Sequence, residues 1–257
     1  MRVHFWWRIL APIYLVACGC LLPLNSRFSI DLPRSHSTSR RLVVILDGVP
    51  YETIAELRAV RAFYYFLAMD YFGNVPLITE TTTGTATTTP RAQVYAFVEK
   101  ELTEALPSLS DNVGGSYYGR INKLAAQAIL AKVYLNAGVY TGTPQWQKAA
   151  DACTAIINSS KFKLESNYLS NFSVSNQGSG ENIWAIPFDR FQAGGMNIAY
   201  RTLHYQSQST YNLSGQPWNG FCTIAEFYNS FSDNDLRKKM WISGVQYGAD
   251  GKALKDD

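Results

Sequence analysis

Between Tyr200 and Phe221 the chain sets Tyr200, Tyr205 and Trp218 among Gln206, Asn212 and Asn219. Flat aromatic faces flanked by amides are the parts a sugar needs, because the rings cover its C–H surfaces and the amides meet its hydroxyls. We take Tyr200, Tyr205, Asn212, Trp218 and Asn219 as the candidate ligand-binding residues. The bland alternative is that these aromatics pack an irregular segment onto the rest of the fold. Trp218 stands apart, because Pro217 and Asn219 place it in a turn that would expose it.

Catalytic chemistry has few carriers here. The histidines are His4, His36 and His204, so a nucleophilic triad would rest on His204, whose neighbours Leu203 and Tyr205 suggest an ordinary loop residue. No Gly-rich phosphate loop with lysine, His-Glu-x-x-His or Cys-x-x-Cys occurs. Paired carboxylates for glycoside hydrolysis are defined by separation in space. Glu99, Glu101 and Glu104 fall mainly on the polar side of one predicted helix, where we expect them to be solvated. Asp233 and Asp235 lack the glycine and distal glutamate of a calcium loop, so no metal site is assigned and no cofactor is expected. Arg58 and Arg61, one turn apart, are expected to satisfy carbonyls or pair with an acid.

A chain of 257 residues with 47% apolar content has the composition of a folded protein of one large or two small domains. The charge of +3 is too small to imply a nucleic-acid partner. Aromatic content of 14% is the unusual figure, and it permits ligand stacking. The four cysteines form neither a disulfide framework nor a paired metal motif, and Cys153 reads as a small core residue.

The elements that must position the aromatic segment are helical. Leu57, Val60, Phe63, Tyr64, Leu67, Ala68, Tyr71 and Phe72 follow helical spacing, and so little polar surface remains that this helix is expected to be packed on most sides. Gly73, Asn74 and Pro76 end it. Thr79 to Pro90, with eight threonines in twelve positions, reads as an exposed loop. Thr89 as N-cap and Pro90 in the first turn open a second helix with Val94, Phe97, Val98, Leu102 and Ala105 inward, ended by Pro107.

Asn122 caps a third predicted helix running to about Ala137. Thr143 and Pro144 start a fourth, expected to bury Trp146, Ala149, Ala150, Cys153, Ile156 and Ile157. Ala59, Ala62, Phe63 and Leu67 align in register with Ala125, Ala128, Ile129 and Val133, so two divergent helix pairs of tetratricopeptide type are expected. Asn182 to Phe188 reads as a short strand stopped by Pro187. Thr223 with Glu226 forms a capping box for a short helix, and Asp250-Gly251 is a turn with too little chain after it for a hairpin. The fold class is mainly α, with tetratricopeptide-like helix-pair repeats, an irregular loop-rich segment and a few short strands.

Arg2 and Arg8 precede a short apolar run from Ile9 to Ala17, the pattern of an export signal over residues 1–20. Leu15-Val16-Ala17-Cys18 resembles a bacterial lipobox with Cys18 as the lipidated residue; the alternative is a spurious or vector-derived leader. Residues 21–50 are left unassigned, atypical or disordered, and 51–257 are read as one partial domain.

Arg-Ala-Phe-Tyr-Tyr-Phe at 61–66, followed by Asp70-Tyr71-Phe72-Gly73-Asn74-Val75-Pro76-Leu77, resembles the signature helix and turn of the SusD/RagB family. Asn122 to Ala137, Trp146 to Ala150, Glu181 to Ile186 and Gly220 to Lys238 resemble later family segments in the expected order, so the likeness covers about residues 52 to 252. The family's usual N-terminal segment and C-terminal half are missing. The resemblance implies an outer-membrane, cell-surface lipoprotein of Bacteroidetes that binds glycans without catalysis and delivers them to a partner TonB-dependent, SusC-like transporter. It also makes the Thr-rich loop a second ligand-face candidate. The alternatives are a helical-repeat module that binds protein, a binder of a non-glycan nutrient, and a glycosidase.

Overall fold

The computed structural model describes residues 50–79, 85–188 and 197–255. The proposed leader, residues 21–49 and part of the Thr-rich loop therefore lie outside the described residues. The chain divides into two compact units, Met1–Phe162 and Lys163–Asp257.

The first unit holds α1 (Tyr51–Phe72), α2 (Arg91–Ala105), α3 (Lys123–Leu135), the short α4 (Ala137–Thr141) and α5 (Trp146–Asn158). The main packing partners are α1 with α2 and α3 with α5, the two helix pairs expected from the sequence. Ala55, Ala59, Ala62, Phe66 and Met69 form the fully buried stripe of α1. Its alanines let a neighbouring backbone come close, while the larger side chains Leu57, Val60, Phe63, Tyr64 and Leu67 wrap the flanks half-buried. Tyr71 and Phe72 are exposed, against expectation, because the helix ends there.

Gly73 leaves α1 with a positive φ of 75°, and a side chain at this position would meet the Arg91 guanidinium at 3.3 Å. The next residue does a second job, because the Asn74 Oδ1 accepts from the Arg91 N–H (2.9 Å) and so caps α2. Thr89 does not cap it. Its N–H is committed to the Val75 carbonyl (2.9 Å) in an isolated antiparallel bridge, and the helix starts one residue past Pro90. Asn122 caps α3 as expected, accepting from the Ala125 N–H at 2.8 Å.

Among the described residues of this unit two carboxylates are buried, and both are ion-paired. Glu101, 4% exposed, does not face solvent as its position suggested. Its Oε1 accepts from Arg58 Nε (3.2 Å) and Nη2 (2.8 Å), and its Oε2 from Arg61 Nε (3.1 Å) and Nη2. Arg58 also reaches Glu104 at 2.6 Å. Glu56, 1% exposed, accepts from Arg120 Nη2 at 2.5 Å, and the Arg120 guanidinium lies 4.5 Å from the Tyr117 ring centroid. Burial raises the carboxyl pKa of Glu56 and Arg120 offsets this only in part. At Glu101 burial pushes the same way, but two guanidiniums outweigh it and hold the carboxyl below its ordinary value.

The outer helix α5 departs from expectation. It buries Ala149 and Ala152, while Trp146 (69% exposed), Ala150, Cys153 and Ile157 (73% exposed) face away from the unit. The small face meets the alanine-rich α3, leaving the large apolar residues on the opposite side.

The second unit is irregular. It carries α6 (Ile198–Thr202), α7 (Ser207–Tyr211), α8 (Ala225–Ser230) and 3-10 turns at Tyr168–Phe172, Asn176–Gly178 and Leu236–Met240. No strand forms among the described residues. The run 182–188 finds no neighbouring strand there to share its backbone hydrogen bonds. Ile224, not Thr223, precedes α8, and no side-chain cap closes it. Around Asp250-Gly251 the chain does turn back on itself, through the bridge Tyr247↔Ala253 and the Leu254 N–H to Gln246 carbonyl bond (2.8 Å). Among the described residues no helix is long and apolar enough to cross a membrane.

Because the folded-state pKa of Glu101 is lowered, its stabilisation is present above the ordinary glutamate value of about 4.3 and is lost as pH falls through the folded value. Glu101→Gln is expected to cost about 3 kcal/mol at pH 7, at the lower end for breaking a buried pair because both arginines can reach water. Thermal denaturation from pH 7 to pH 3 should show the wild-type advantage shrinking below about pH 4.3.

Candidate functional site

The aromatic segment is organised by a backbone clasp. After α6, the stretch 217–221 runs back alongside 200–203. Trp218 N–H donates to the Tyr200 carbonyl (2.6 Å), Asn219 N–H to that of Leu203 (3.1 Å), and the Gly220 and Phe221 N–H groups both donate to the Arg201 carbonyl (2.8 and 2.9 Å). Gly220 fits because a Cβ there would lie 3.2 Å from that same Arg201 oxygen. Pro217 is fully buried beside this clasp, whereas Trp218 is 51% exposed. The Pro-Trp-Asn sequence thus anchors one residue and presents the next.

The Tyr200 and Trp218 ring centroids lie 6.3 Å apart with planes tilted by 43°. The Tyr200 hydroxyl reaches Ser214 Oγ at 3.4 Å, and its ring lies 3.5 Å from the space beside Gly215. The Arg201 guanidinium lies 5.7 Å from the Trp218 ring centroid, and its Nε donates to Asn197 Oδ1 (3.0 Å). The result is a half-exposed aromatic pair bordered by a cation, a hydroxyl and amides. Such a surface can stack a ring and hydrogen-bond its substituents.

The structure therefore brings Tyr200, Trp218 and Asn219 together. Tyr205, exposed, pairs with the His204 ring (5.5 Å). His204 Nδ1 accepts from the Gln206 N–H (3.2 Å). Asn212 ends α7 in the left-handed region, φ 49° and ψ 49°, so its first role is that of a helix terminator. Cys18 lies outside the described residues. Arg201 is the residue that sequence reading missed; the signal available was its position as the single Arg or Lys, with no Asp or Glu, in 197–221.

Elsewhere, Asp233 pairs with Lys238 (2.7 Å) and Asp235 with Arg237 (2.6 Å), the latter also accepting from the Arg237 N–H. Those cations meet the two carboxylates. Among the described residues no group of three or more His, Cys, Asp or Glu could hold a metal ion.

Residues 55–135, the stretch from α1 through α3, match the SusD-like family model described as "Starch-binding associating with outer membrane". Over these residues the chain is similar to SusD-like proteins. It is 31% identical over 122 residues to the starch-binding protein SusD of Bacteroides thetaiotaomicron, a match covering 48% of this chain and 22% of that protein. It superposes on a laminarin-binding SusD-like protein with TM-score 0.58 and 28% identity, over 72% of this chain and 45% of that one. A SusD-like carbohydrate-binding protein of Bacteroides fragilis gives TM-score 0.58 and 26% identity, over 72% of this chain and 36% of that one. The chain thus spans less than half the length of these relatives. Its aromatic clasp lies beyond the residues that the family model covers.

Asn219 adopts a positive φ of 48° at the tip of the clasp, which separates its backbone role from any role of its amide. Asn219→Gly is expected to leave the melting temperature nearly unchanged. Asn219→Val should cost about 1–2 kcal/mol through the left-handed backbone penalty, measured by thermal denaturation.

Proposed function

We propose that this chain is part of a non-catalytic, cell-surface glycan-binding protein. It captures oligo- or polysaccharide and delivers it to a partner TonB-dependent, SusC-like outer-membrane transporter. The observation that carries the reading is Trp218, half-exposed beside Tyr200 on a segment fixed by four backbone hydrogen bonds. A stacking surface held in place before the ligand arrives loses little conformational entropy on binding. The similar proteins, which bind starch, laminarin and carbohydrate, support the same class of ligand. In this reading the helix pairs of the first unit, with the SusD-like match, supply the docking face for the transporter.

The protein-binding alternative rests on a different observation, the apolar stripe Trp146, Ala150, Cys153 and Ile157 on α5. Affinity electrophoresis against starch, laminarin and a wider polysaccharide panel separates the two readings. Retardation by at least one polymer is expected, with Trp218→Ala weakening it about tenfold, equivalent to about 1.4 kcal/mol. Migration unchanged by every polymer would overturn the glycan reading.

Anchoring is proposed to run through a lipid on Cys18, from the lipobox-like Leu15-Val16-Ala17-Cys18. In cell fractionation, the wild type is expected in the membrane pellet and Cys18→Ala in the soluble fraction. A Cys18→Ala variant that stays with the membrane would count against it.

A further inference from the structure

The Tyr200–Trp218 surface is bordered by a cation that has no acidic partner among the described residues. Arg58 and Arg61 sit on Glu101, Arg120 on Glu56 and Arg237 on Asp235. Arg201 instead has the neutral Asn197 Oδ1 on its Nε, and among the described residues no carboxylate lies within ion-pair distance of it. The whole stretch 197–221 contains no Asp or Glu. Arg201 is exposed, and of its side-chain nitrogens only Nε donates a hydrogen bond among the described residues, while its guanidinium carbon lies 5.7 Å from the Trp218 ring centroid.

A neutral sugar does not require a full charge at this place. Stacking on Trp218 and hydrogen bonds to amides and hydroxyls would suffice. A guanidinium presents paired N–H donors that match the two oxygens of a carboxylate or sulfate, and it does so best where no internal acid competes. The clasp also fixes its origin, since the Arg201 carbonyl takes two backbone N–H bonds.

Resting on the glycan reading above, we infer that this surface takes an anionic glycan. A sugar ring would stack on Trp218 and its carboxylate or sulfate would pair with Arg201. The same residue admits a second role, holding the Trp218 ring by cation–π contact alone, and the test is built to tell the two apart.

The experiment is calorimetry or affinity electrophoresis of the full chain, wild type, Arg201→Gln and Arg201→Lys. The probes are polygalacturonate as the carboxylate polymer, a carrageenan as the sulfated one, and starch and laminarin as neutral ones. The expected result is tighter binding of at least one acidic polymer than of either neutral one, weakened by added salt. Arg201→Gln should lower that affinity about tenfold and Arg201→Lys less, with any neutral binding lowered much less. Whether polygalacturonate or carrageenan responds identifies carboxylate or sulfate as the group recognised. Binding of neutral polymers only, or an equal loss on acidic and neutral polymers in Arg201→Gln, overturns the anionic preference and leaves the glycan reading standing. Binding of none overturns both.

Discussion

Two glutamates sit where water cannot reach them, and the helical unit depends on the arginines that come to meet them. Glu101 belongs to α2 and is held by Arg58 and Arg61 of α1; Glu56 belongs to α1 and is held by Arg120, from the loop before α3. Each pair is formed across elements that the chain alone does not bring together. A buried carboxylate without its cation is costly, so misregistered packing of these helices is penalised strongly. Apolar contact between alanines and leucines has no such directionality. The pairs thus select one arrangement among many that would bury comparable apolar area, a role attested for some buried polar groups elsewhere.

The division of labour between the units follows from their composition. The first is rich in alanine and aliphatic residues at helical spacing, and its helices close on one another with few polar loose ends. The second has short helices and turns, and it satisfies its backbone through local devices. Glu181 accepts from the Glu165 N–H and the Asn171 amide, Asp235 caps its own turn, and the clasp at 217–221 pairs main chain with main chain. Irregular backbone of this kind can display side chains at angles that a regular helix does not offer.

What was legible in the sequence was what is decided locally. The Asn122 cap, the two helix pairs and the exposure of Trp218 between Pro217 and Asn219 depend on neighbours a few residues away, and the structure shows all three. What was not legible depends on contacts from afar. Asn74 caps a helix seventeen positions later, displacing Thr89 from that role. The periodicity of α5 identified an amphipathic helix, but the face that is buried was set by what α3 offers it, so Trp146 and Cys153 lie outside. Glu101 looked solvated because its cations lie on another helix. Of the candidate site, Tyr200, Trp218 and Asn219 converge, whereas Arg201, marked in the sequence only as a lone cation, gains its meaning from its place beside the indole ring.

The clasp around Arg201 is made almost wholly of main-chain atoms, with Gly220 and Pro217 as its fixed members. Its geometry is therefore nearly indifferent to which side chains stand at 201 and 218. A surface built this way can exchange one chemical preference for another by single substitutions, without refolding its support. That separation of frame from fingertip lets the exposed side chains change their chemistry at little risk to the fold.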